Sequence, residues 1–232
     1  MENKPFTIKK IEIIVESIEA QQAEECIKKL EIHFASLGEG GNAVVYFAEG
    51  TSFSNIVFKK IKKNPVINFN TIDEENKIQE KVRELGVRTP ITLLSFETTD
   101  NEEYLVMEKI NGYSVKDIVA NPSLLPEKFN FKIFCDSLDQ QIAKMHNKGG
   151  LKNGIYHRDL HSGNVMINQE GLPVIIDFGT SAEGTGSDYT YEEEVEMFNY
   201  QKGKYEFVSG YFKDDLIMAD NIKSQLKMFI KA

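Results

Sequence analysis

Two aspartates and an asparagine lie close together near the middle of the chain, between apolar runs. Asp159 and Asn164 belong to the segment HRDLHSGN (157–164), and Asp177 follows in IIDFG (175–179). One carboxylate that orients a hydroxyl, together with a carboxylate and an amide that bind Mg²⁺, is the smallest set of groups that supports phosphoryl transfer. These three side chains therefore predict a site for phosphate chemistry.

Two short apolar runs should bring the two aspartates together. Residues 164–167 and 173–176 have the composition of strands, and a polar turn containing Gly171 lies between them. Such a pattern is typical of a β-hairpin. We expect this hairpin to place Asp159 and Asp177 on one side of a cleft.

The segments HRDLxxxN and DFG resemble the catalytic and metal-binding loops of the protein kinase superfamily. The resemblance implies an α+β, bilobal kinase-like fold with a β-rich N-lobe and a reduced, mainly helical C-lobe. It also implies ATP and Mg²⁺ as cofactors. In these positions Asp159 would orient the acceptor hydroxyl, and Asn164 and Asp177 would bind the metal. Arg158 and His161 belong to the same predicted catalytic loop.

A glycine-rich turn lies upstream, between two apolar runs within residues 32–49. Strand, glycine turn and strand form the arrangement that lays backbone N–H groups over phosphates. The pattern G-x-G-x-x-A-x-V resembles the kinase glycine-rich loop, although a plain glycine-rich hairpin explains it equally well. The predicted nucleotide-binding positions in this hairpin are Leu37, Gly38, Gly40, Gly41, Ala43 and Val45.

The next apolar run, IVFKK (56–60), resembles the kinase strand that carries a phosphate-binding lysine. Side chains two residues apart in a strand share a face, so Val57 and Lys59 should both point toward the base and the phosphates. Phe58 should point the other way, and Lys60 should be solvated. The alternative is a strand that ends in a pair of surface lysines.

A helix is predicted from Thr71 to about Leu85, because carboxylates fill its first turn and apolar residues follow at helical spacing. By resemblance to the family, Glu80 is predicted to pair with Lys59, and Glu84 is the second choice. A glutamate that is simply solvated is the alternative in both cases.

The segment MEKING (107–112) resembles the kinase hinge that contacts adenine. Met107 would occupy the gatekeeper position at the end of a predicted strand. Backbone groups of Glu108 and Ile110 would then meet the adenine edge.

Two features depart from the pattern of ordinary protein kinases. His161 replaces the usual lysine, so that D-L-H-x-G-N also resembles aminoglycoside phosphotransferases, whereas Arg158 and the glycine loop favour protein kinases. Few residues follow Gly179, and no Ala-Pro-Glu sequence is found among them. In this respect the chain resembles truncated microbial kinases and secreted bacterial effector kinases.

The predicted organisation has three parts: an N-terminal extension (1–31), a kinase N-lobe (32–107) and a truncated C-lobe (108–232). The extension shows a broadly helical period, but its early alternation of isoleucines also fits a strand. Further helices are predicted at Ser114–Val119, Lys132–Asn147 and Asp214–Ile230, and a helix is one interpretation of the acidic stretch 191–201.

Composition limits the choice of partners. The formal net charge is −9, which argues against nucleic acid or an anionic membrane surface as the main partner. No 18-residue apolar run is found, so no transmembrane span is predicted. Cys26 and Cys135 are too few for a disulfide framework and predict reduced thiols in a cytoplasmic protein, or in the host cytoplasm for a secreted effector.

Three functional hypotheses follow from these patterns. The first is a minimal, atypical serine/threonine protein kinase that acts on a protein substrate and is open to an activating protein partner. The second is a small-molecule kinase of the aminoglycoside type, for which the C-terminal region is short. The third is a nucleotide-binding module that acts through a partner, for which we would expect a damaged set of catalytic residues.

Overall fold

The computed structural model describes residues 7–29, 33–39, 43–49, 55–62, 70–146, 154–184, 194–199, 204–209 and 214–230. The chain divides into two compact units with mixed α and β structure. The first unit comprises Met1–Asn76 and Pro90–Lys109, and the second comprises Lys77–Thr89 and Ile110–Ala232. No helix among the described residues is long and apolar enough to cross a membrane.

The first unit is built on a six-stranded antiparallel sheet. Its elements are β1 (Ile8–Ile13), α1 (Ile18–Lys29), β2 (His33–Glu39), β3 (Ala43–Glu49), β4 (Ile56–Ile61), β5 (Thr92–Thr98) and β6 (Glu103–Glu108). The strand order is β1-β5-β6-β4-β3-β2. The predicted glycine-turn hairpin is thus formed by β2 and β3, which pair with each other at one edge of the sheet.

The N-terminal residues form both of the elements between which the sequence left the choice open. First comes β1, which pairs with β5 and so adds a strand to the sheet. Then α1 begins after Ser17, whose Oγ accepts a hydrogen bond of 3.1 Å from Ala20 N. Ala23 and Ile27 of this helix are fully buried in a cluster with side chains of the sheet, so the predicted extension is an integral part of the first unit.

Strand β4 separates two apolar clusters. Phe58 packs with Phe96 in the cluster that includes α1, whereas Val57 packs with Leu105 and Met107 in a second cluster. The predicted alternation of Val57 and Phe58 is therefore confirmed. It fixes the face of the sheet on which Lys59 lies, because Lys59 is two residues from Val57.

Helix α2 (Ile72–Glu84) begins with a reciprocal capping arrangement. The Glu74 carboxylate accepts hydrogen bonds of 2.9 Å from both the backbone N and the Oγ1 of Thr71, and Thr71 Oγ1 accepts from Glu74 N at 3.3 Å. These bonds satisfy backbone donors of the first turn and fix where the helix begins. The same first turn carries Glu75, which is buried.

The second unit contains short strands and two long helices. Its elements are β7 (Gly112–Ser114), α3 (Val115–Ala120), a 3₁₀ turn (Pro122–Leu124), α4 (Phe131–Met145), β8 (Gly154–Tyr156), β9 (Val165–Asn168), β10 (Pro173–Ile175), β11 (Ala182–Gly184), β12 (Glu194–Asn199), β13 (Lys204–Ser209) and α5 (Asp214–Ile230). They form three small sheets, ordered β10-β9-β7, β11-β8 and β12-β13. The predicted helix Asp214–Ile230 is confirmed.

The core of the second unit lies around α4 and α5. The predicted apolar stripe of α4 is confirmed, since Phe134, Leu138 and Ile142 are fully buried. Ile222 and Leu226 of α5 belong to the same cluster, together with residues of the β9–β10 hairpin and Phe178. Burial of these apolar side chains stabilises the second unit and gives its short loops a fixed base.

The prediction of a helix within residues 191–201 was wrong. The structure has β12 there, paired with β13 in a two-stranded sheet that joins Val195 to Val208 and Phe198 to Tyr205 in register. The sequence Glu194-Val195-Glu196-Met197 alternates polar and apolar residues, which is the period of a strand. The run of glutamates is compatible with a helix, whereas the alternation favours a strand.

The capping arrangement of α2 gives a first prediction. Replacing Thr71 with Ala should lower the free energy of unfolding by about 1 kcal/mol, because the first turn loses its side-chain acceptor. Urea denaturation followed by circular dichroism measures this change. Thr99→Ala, in an exposed turn of the same unit, is the control and should have little effect. Equal losses in the two variants would contradict the role assigned to the cap.

Candidate active site

The predicted catalytic loop is a compact turn closed by Asn164. The backbone N of Asn164 donates to His161 O, and its side-chain Nδ2 donates to Asp159 O, both at 2.9 Å. Leu160 is buried in the core of the second unit and attaches the loop to that core. The carboxylate of Asp159 remains accessible, with a side chain that is 40% exposed. The loop thus presents a carboxylate on a rigid backbone.

The structure brings Asn164 and Asp177 together through the predicted hairpin. The β9–β10 pairing is extended by a bond of 2.9 Å from Ile176 N to Asn164 O, so Asn164 lies opposite the residue that precedes Asp177. Asp177 has a φ of 65°, in the left-handed region that few residues other than glycine adopt. This conformation turns the chain directly after the strand pairing ends at Ile176.

The residues present fit a divalent cation. Asn164 Nδ2 is already used by Asp159 O, which leaves the amide Oδ1 as the ligand atom. Burial raises the pKa of Asp159 above its ordinary value; His161 and His157 act to lower that pKa, and the negative charges of Asp177 and Asp215 act to raise it. Repulsion between neighbouring carboxylates is the condition that a bound cation relieves.

The described part of the chain supplies few metal ligands by itself. Among the described residues no group of three or more His, Cys, Asp and Glu side chains is arranged to hold a metal ion. Mg²⁺ commonly binds through one or two protein groups and completes its octahedron with water and substrate phosphates. Asn164 and Asp177 match that kind of site and not a closed protein cage.

Asp215, at the start of α5, organises the catalytic loop from within the core. Its side chain is 1% exposed. Oδ2 accepts from His157 N at 2.8 Å and lies 2.9 Å from His146 Nε2, and Oδ1 accepts from Arg158 N at 3.1 Å. Arg158 has a φ of 68°, so the carboxylate holds the backbone in a conformation that a non-glycine residue rarely adopts.

The charge of Asp215 is stabilised by these contacts. Burial acts to raise its pKa, but the hydrogen bond with His146 and the nearby imidazole of His157, together with the backbone N–H of His157, hold the pKa below its ordinary value. The carboxylate is therefore ionised in the folded protein. A buried ionised group with several donors is costly to disturb.

His157 links Asp215 to the turn that carries Asp177. Its ring is fully buried, its Nε2 is 2.9 Å from Ile176 O, and its centroid is 5.0 Å from the ring of Phe178. Its backbone O accepts from Ser181 Oγ at 3.1 Å. The loop that carries Asp159 and the turn that carries Asp177 are thus joined through one buried residue.

The sequence interpretation did not identify Asp215. A carboxylate at the start of a helix is explained by the helix dipole alone. The signal was its position: Ala219, Ile222 and Leu226 follow at intervals of one helical face, and all three are buried. An aspartate that begins an apolar stripe needs buried hydrogen-bond donors.

Lys59 is paired with Glu75, and the predicted pairing with Glu80 was wrong. Lys59 Nζ lies 2.5 Å from Glu75 Oε1, and the two side chains are 5% and 1% exposed. Glu80 is five residues further along α2, which moves a side chain about 7.5 Å along the axis and turns it by about 140°. The helix begins at Ile72, so the glutamate that reaches Lys59 belongs to its first turns.

Several predicted nucleotide-binding side chains share one face of the sheet. Val45, Val57 and Met107 pack in the same apolar cluster, and the register pairs Val45 with Lys59 and Val57 with Met107. These are the neighbours that a base and a phosphate-binding lysine would require.

The glycine hairpin is described only in part. The register of β2 shifts between Ser36 and Gly38, so Leu37 lies in a bulge, where it is 52% exposed. Ala43 is buried at the start of β3. Gly40 and Gly41 lie outside the described residues.

The predicted hinge has a defined backbone pattern. Glu108 N donates to Ile91 O and Lys109 N donates to Asn55 O, both at 2.8 Å. The Glu108 N–H is therefore used within the first unit, by the carbonyl of Ile91. Ile110 begins the second segment of the second unit and is buried.

Comparison with known proteins gives the family. A model described as the protein kinase domain matches residues 32–202, which is more than half of the chain. The chain belongs to the protein kinase family. Its kinase-matching region covers the glycine hairpin, the Lys59–Glu75 pair and the loops with Asp159 and Asp177.

The similar proteins are longer than this chain. A probable serine/threonine-protein kinase of Clostridium perfringens is 28% identical over 160 residues, covering 68% of this chain and 22% of the relative. Serine/threonine-protein kinase D of Synechocystis is 31% identical over 163 residues, covering 66% and 30%. A solved structure of the CAK complex from Chaetomium thermophilum bound to ATP-γ-S aligns with a TM-score of 0.47 and 20% identity, covering 72% and 52%. The chain spans less than a third of either curated kinase.

The buried carboxylate generates a prediction for stability. Asp215→Asn should lower the free energy of unfolding at pH 7 by about 2 kcal/mol, because an amide cannot accept the same charged hydrogen bonds. A group with a lowered pKa stabilises the fold above its unfolded pKa and loses that contribution as pH falls through the folded value. The difference between wild type and variant should therefore shrink below pH about 4. Urea titrations at several pH values measure it.

The control for this prediction is Asp220→Asn, on the exposed side of the same helix. Asp220 pairs with Lys223 and its side chain is 77% exposed. We expect a change within about 0.5 kcal/mol. A pH-independent difference for Asp215→Asn would show that the lost stability does not come from the carboxylate charge.

Proposed function

We propose that this chain is an ATP- and Mg²⁺-dependent kinase that transfers phosphate to serine or threonine hydroxyls of a protein substrate. One observation carries the proposal. Asp159, Asn164 and Asp177 lie on loops that a single network of hydrogen bonds joins, and this network includes the buried carboxylate of Asp215. Family membership and the serine/threonine kinases among its relatives support the same conclusion.

In this proposal the second unit carries the acceptor and metal chemistry. Asp159 accepts the hydrogen bond of the substrate hydroxyl and orients its oxygen for attack. Asn164 Oδ1 and the Asp177 carboxylate hold Mg²⁺, which when bound neutralises charge on the phosphates. The rigid loop keeps these groups in position, so catalysis comes from placement and charge stabilisation.

The first unit carries the nucleotide contacts. Lys59 holds the α- and β-phosphates, and the buried Glu75 carboxylate orients its ammonium group and compensates its charge. Backbone N–H groups of the glycine hairpin contact the phosphates, while Val45 and Val57 contact the base. The Glu108 carbonyl and Ile110 backbone bind the adenine edge. Glu75 thus takes the role that was predicted for Glu80.

The acceptor, the partners and the location are part of the proposal. The relatives favour a protein hydroxyl as the acceptor. A small molecule is the competing acceptor, because His161 stands where protein kinases usually have lysine.

The net charge of −9 supports a protein partner, whether substrate or activator, and not nucleic acid or a membrane surface. The proposed cytoplasmic location rests on cysteine usage, since two cysteines are too few for a disulfide framework and Cys135 is a free, half-buried thiol.

A phosphate-transfer assay tests the proposal directly. Wild type and Asp159→Asn are incubated with γ-labelled ATP and Mg²⁺, with generic protein substrates in one series and aminoglycosides in another. We expect label on protein serine and threonine, and a loss of at least about a hundredfold in the variant. Label on the aminoglycoside alone would favour the small-molecule kinase. ATP binding without transfer to any acceptor would favour the nucleotide-binding module.

The strand register of β4 gives a prediction for the phosphate-binding lysine. Lys59→Met should lower kcat/KM for ATP by about a hundredfold or more, because a buried charge that contacts the phosphates is lost. Steady-state kinetics with varied ATP measure this effect. Glu75→Gln should act in the same direction with a smaller loss, because the lysine remains but is no longer held.

Lys60→Met is the matched control. Lys60 is the next residue of the same strand and pairs with Glu102 at the surface, where the side chains are 24% and 25% exposed. We expect nearly unchanged kinetics. Similar losses for Lys59→Met and Lys60→Met would contradict the assignment of Lys59.

A further inference from the structure

The ring of His161 is held in one orientation by the backbone of the catalytic loop. Gly163 N donates a hydrogen bond of 2.9 Å to His161 Nδ1. A ring nitrogen that accepts an N–H bond carries no proton itself, so in the neutral ring the proton is on Nε2. The Gly163 amide therefore selects one tautomer.

The other ring nitrogen faces the proposed catalytic carboxylate. His161 Nε2 lies 3.8 Å from Asp159 Oδ2, and the two side chains are 44% and 40% exposed. This distance is too long for a direct hydrogen bond, but one bridging water or a small rotation of Asp159 closes it. An N–H donor is thus aimed at one oxygen of Asp159.

Gly163 is required for this placement of the ring. A Cβ at position 163 would lie 2.7 Å from His161 Cε1 and 3.0 Å from Nδ1, whereas the next atom, Lys116 Cδ, is 3.9 Å away. The φ of Gly163 is outside the left-handed region, so its backbone does not call for glycine. Glycine is required at position 163 because a Cβ there would collide with the imidazole of His161.

We infer that His161 is a positioning residue for Asp159, held by Gly163 as the Nε2–H tautomer so that one carboxylate oxygen is fixed and the other receives the acceptor hydroxyl. This inference rests on the proposed kinase function and assigns a role to the residue that stands where a lysine is usual. Asp159 takes the hydroxyl proton as the hydroxyl oxygen bonds to the γ-phosphorus and ADP leaves. His161 keeps its proton throughout, so a fixed positive charge is not needed for this role.

A double-mutant cycle tests the dependence of Gly163 on His161. Gly163→Ala and His161→Ala should each lower kcat by about tenfold or more, with the KM for ATP changed less than about twofold, since alignment and not nucleotide binding is lost. In the His161→Ala background the added Cβ meets no ring, so Gly163→Ala should cause no further loss. Additive losses, or a main effect on the KM for ATP, would overturn the inference.

Two controls separate positioning from folding. Ser162→Ala, in the same turn, should leave kcat unchanged. The melting temperatures of all the variants should stay close to that of wild type, because the imidazole is nearly half exposed. A Gly163→Ala protein that is destabilised as strongly as it is inactivated would count against a positioning role.

Nuclear magnetic resonance gives a readout that does not depend on turnover. The imidazole ¹⁵N shifts of wild type should report the Nε2–H tautomer for His161, and both Gly163→Ala and His161→Ala should shift the carboxyl ¹³C resonance of Asp159. The opposite tautomer, or an Asp159 resonance that is the same in all three proteins, would overturn the inference. If wild type transfers no phosphate but these resonances behave as expected, the proposed function fails while the His161–Asp159 coupling stands.

Discussion

A single buried carboxylate determines how the catalytic loop is held. Asp215 receives backbone N–H groups of two consecutive loop residues, His157 and Arg158, and contacts His146 at the end of α4. An ionised group in the core is tolerated only when its oxygens have partners, so the loop, α4 and α5 each depend on the others. The position of Asp159 is therefore a property of the whole second unit and not of the loop alone.

The first unit uses the same principle with a pair of opposite charges. Lys59 and Glu75 are almost fully buried, and each makes the other acceptable in the apolar surroundings of β4 and α2. The pair requires that α2 begins where it does, which the Thr71–Glu74 capping bonds fix. A local rule of helix initiation thus decides which glutamate pairs with Lys59.

Much of the fold could be predicted because its signals are local. The hairpin between Asn164 and Asp177, the pairing of β2 with β3, the alternation of β4 and the stripe of α4 all follow from the periods of strands and helices. The predicted strands 164–167 and 173–176 correctly place Asn164 opposite Ile176, the residue before Asp177.

Two of the errors, over Glu80 and Asp215, concern contacts between segments that are distant in sequence, and the third, at β12, concerns a local pattern. The choice between Glu75 and Glu80 depends on which helical face meets β4, and a periodic pattern does not contain that information. Asp215 is separated by 58 positions from the loop residue His157 to which it bonds. In β12 the acidic composition suggested a helix, although the residues alternate as in a strand. The partner strand, β13, follows after several further residues.

The N-terminal strand has a consequence for association of the protein with itself. In the six-stranded sheet β1 occupies the outer position next to β5, so β5 is not an edge. The new edge carries Lys9, which pairs with Glu97 at 2.7 Å, and Lys10, which pairs with Glu12 at 2.8 Å. Charged side chains along an edge strand make the addition of a strand from another chain unfavourable. The extension therefore protects this side of the sheet against strand-to-strand aggregation.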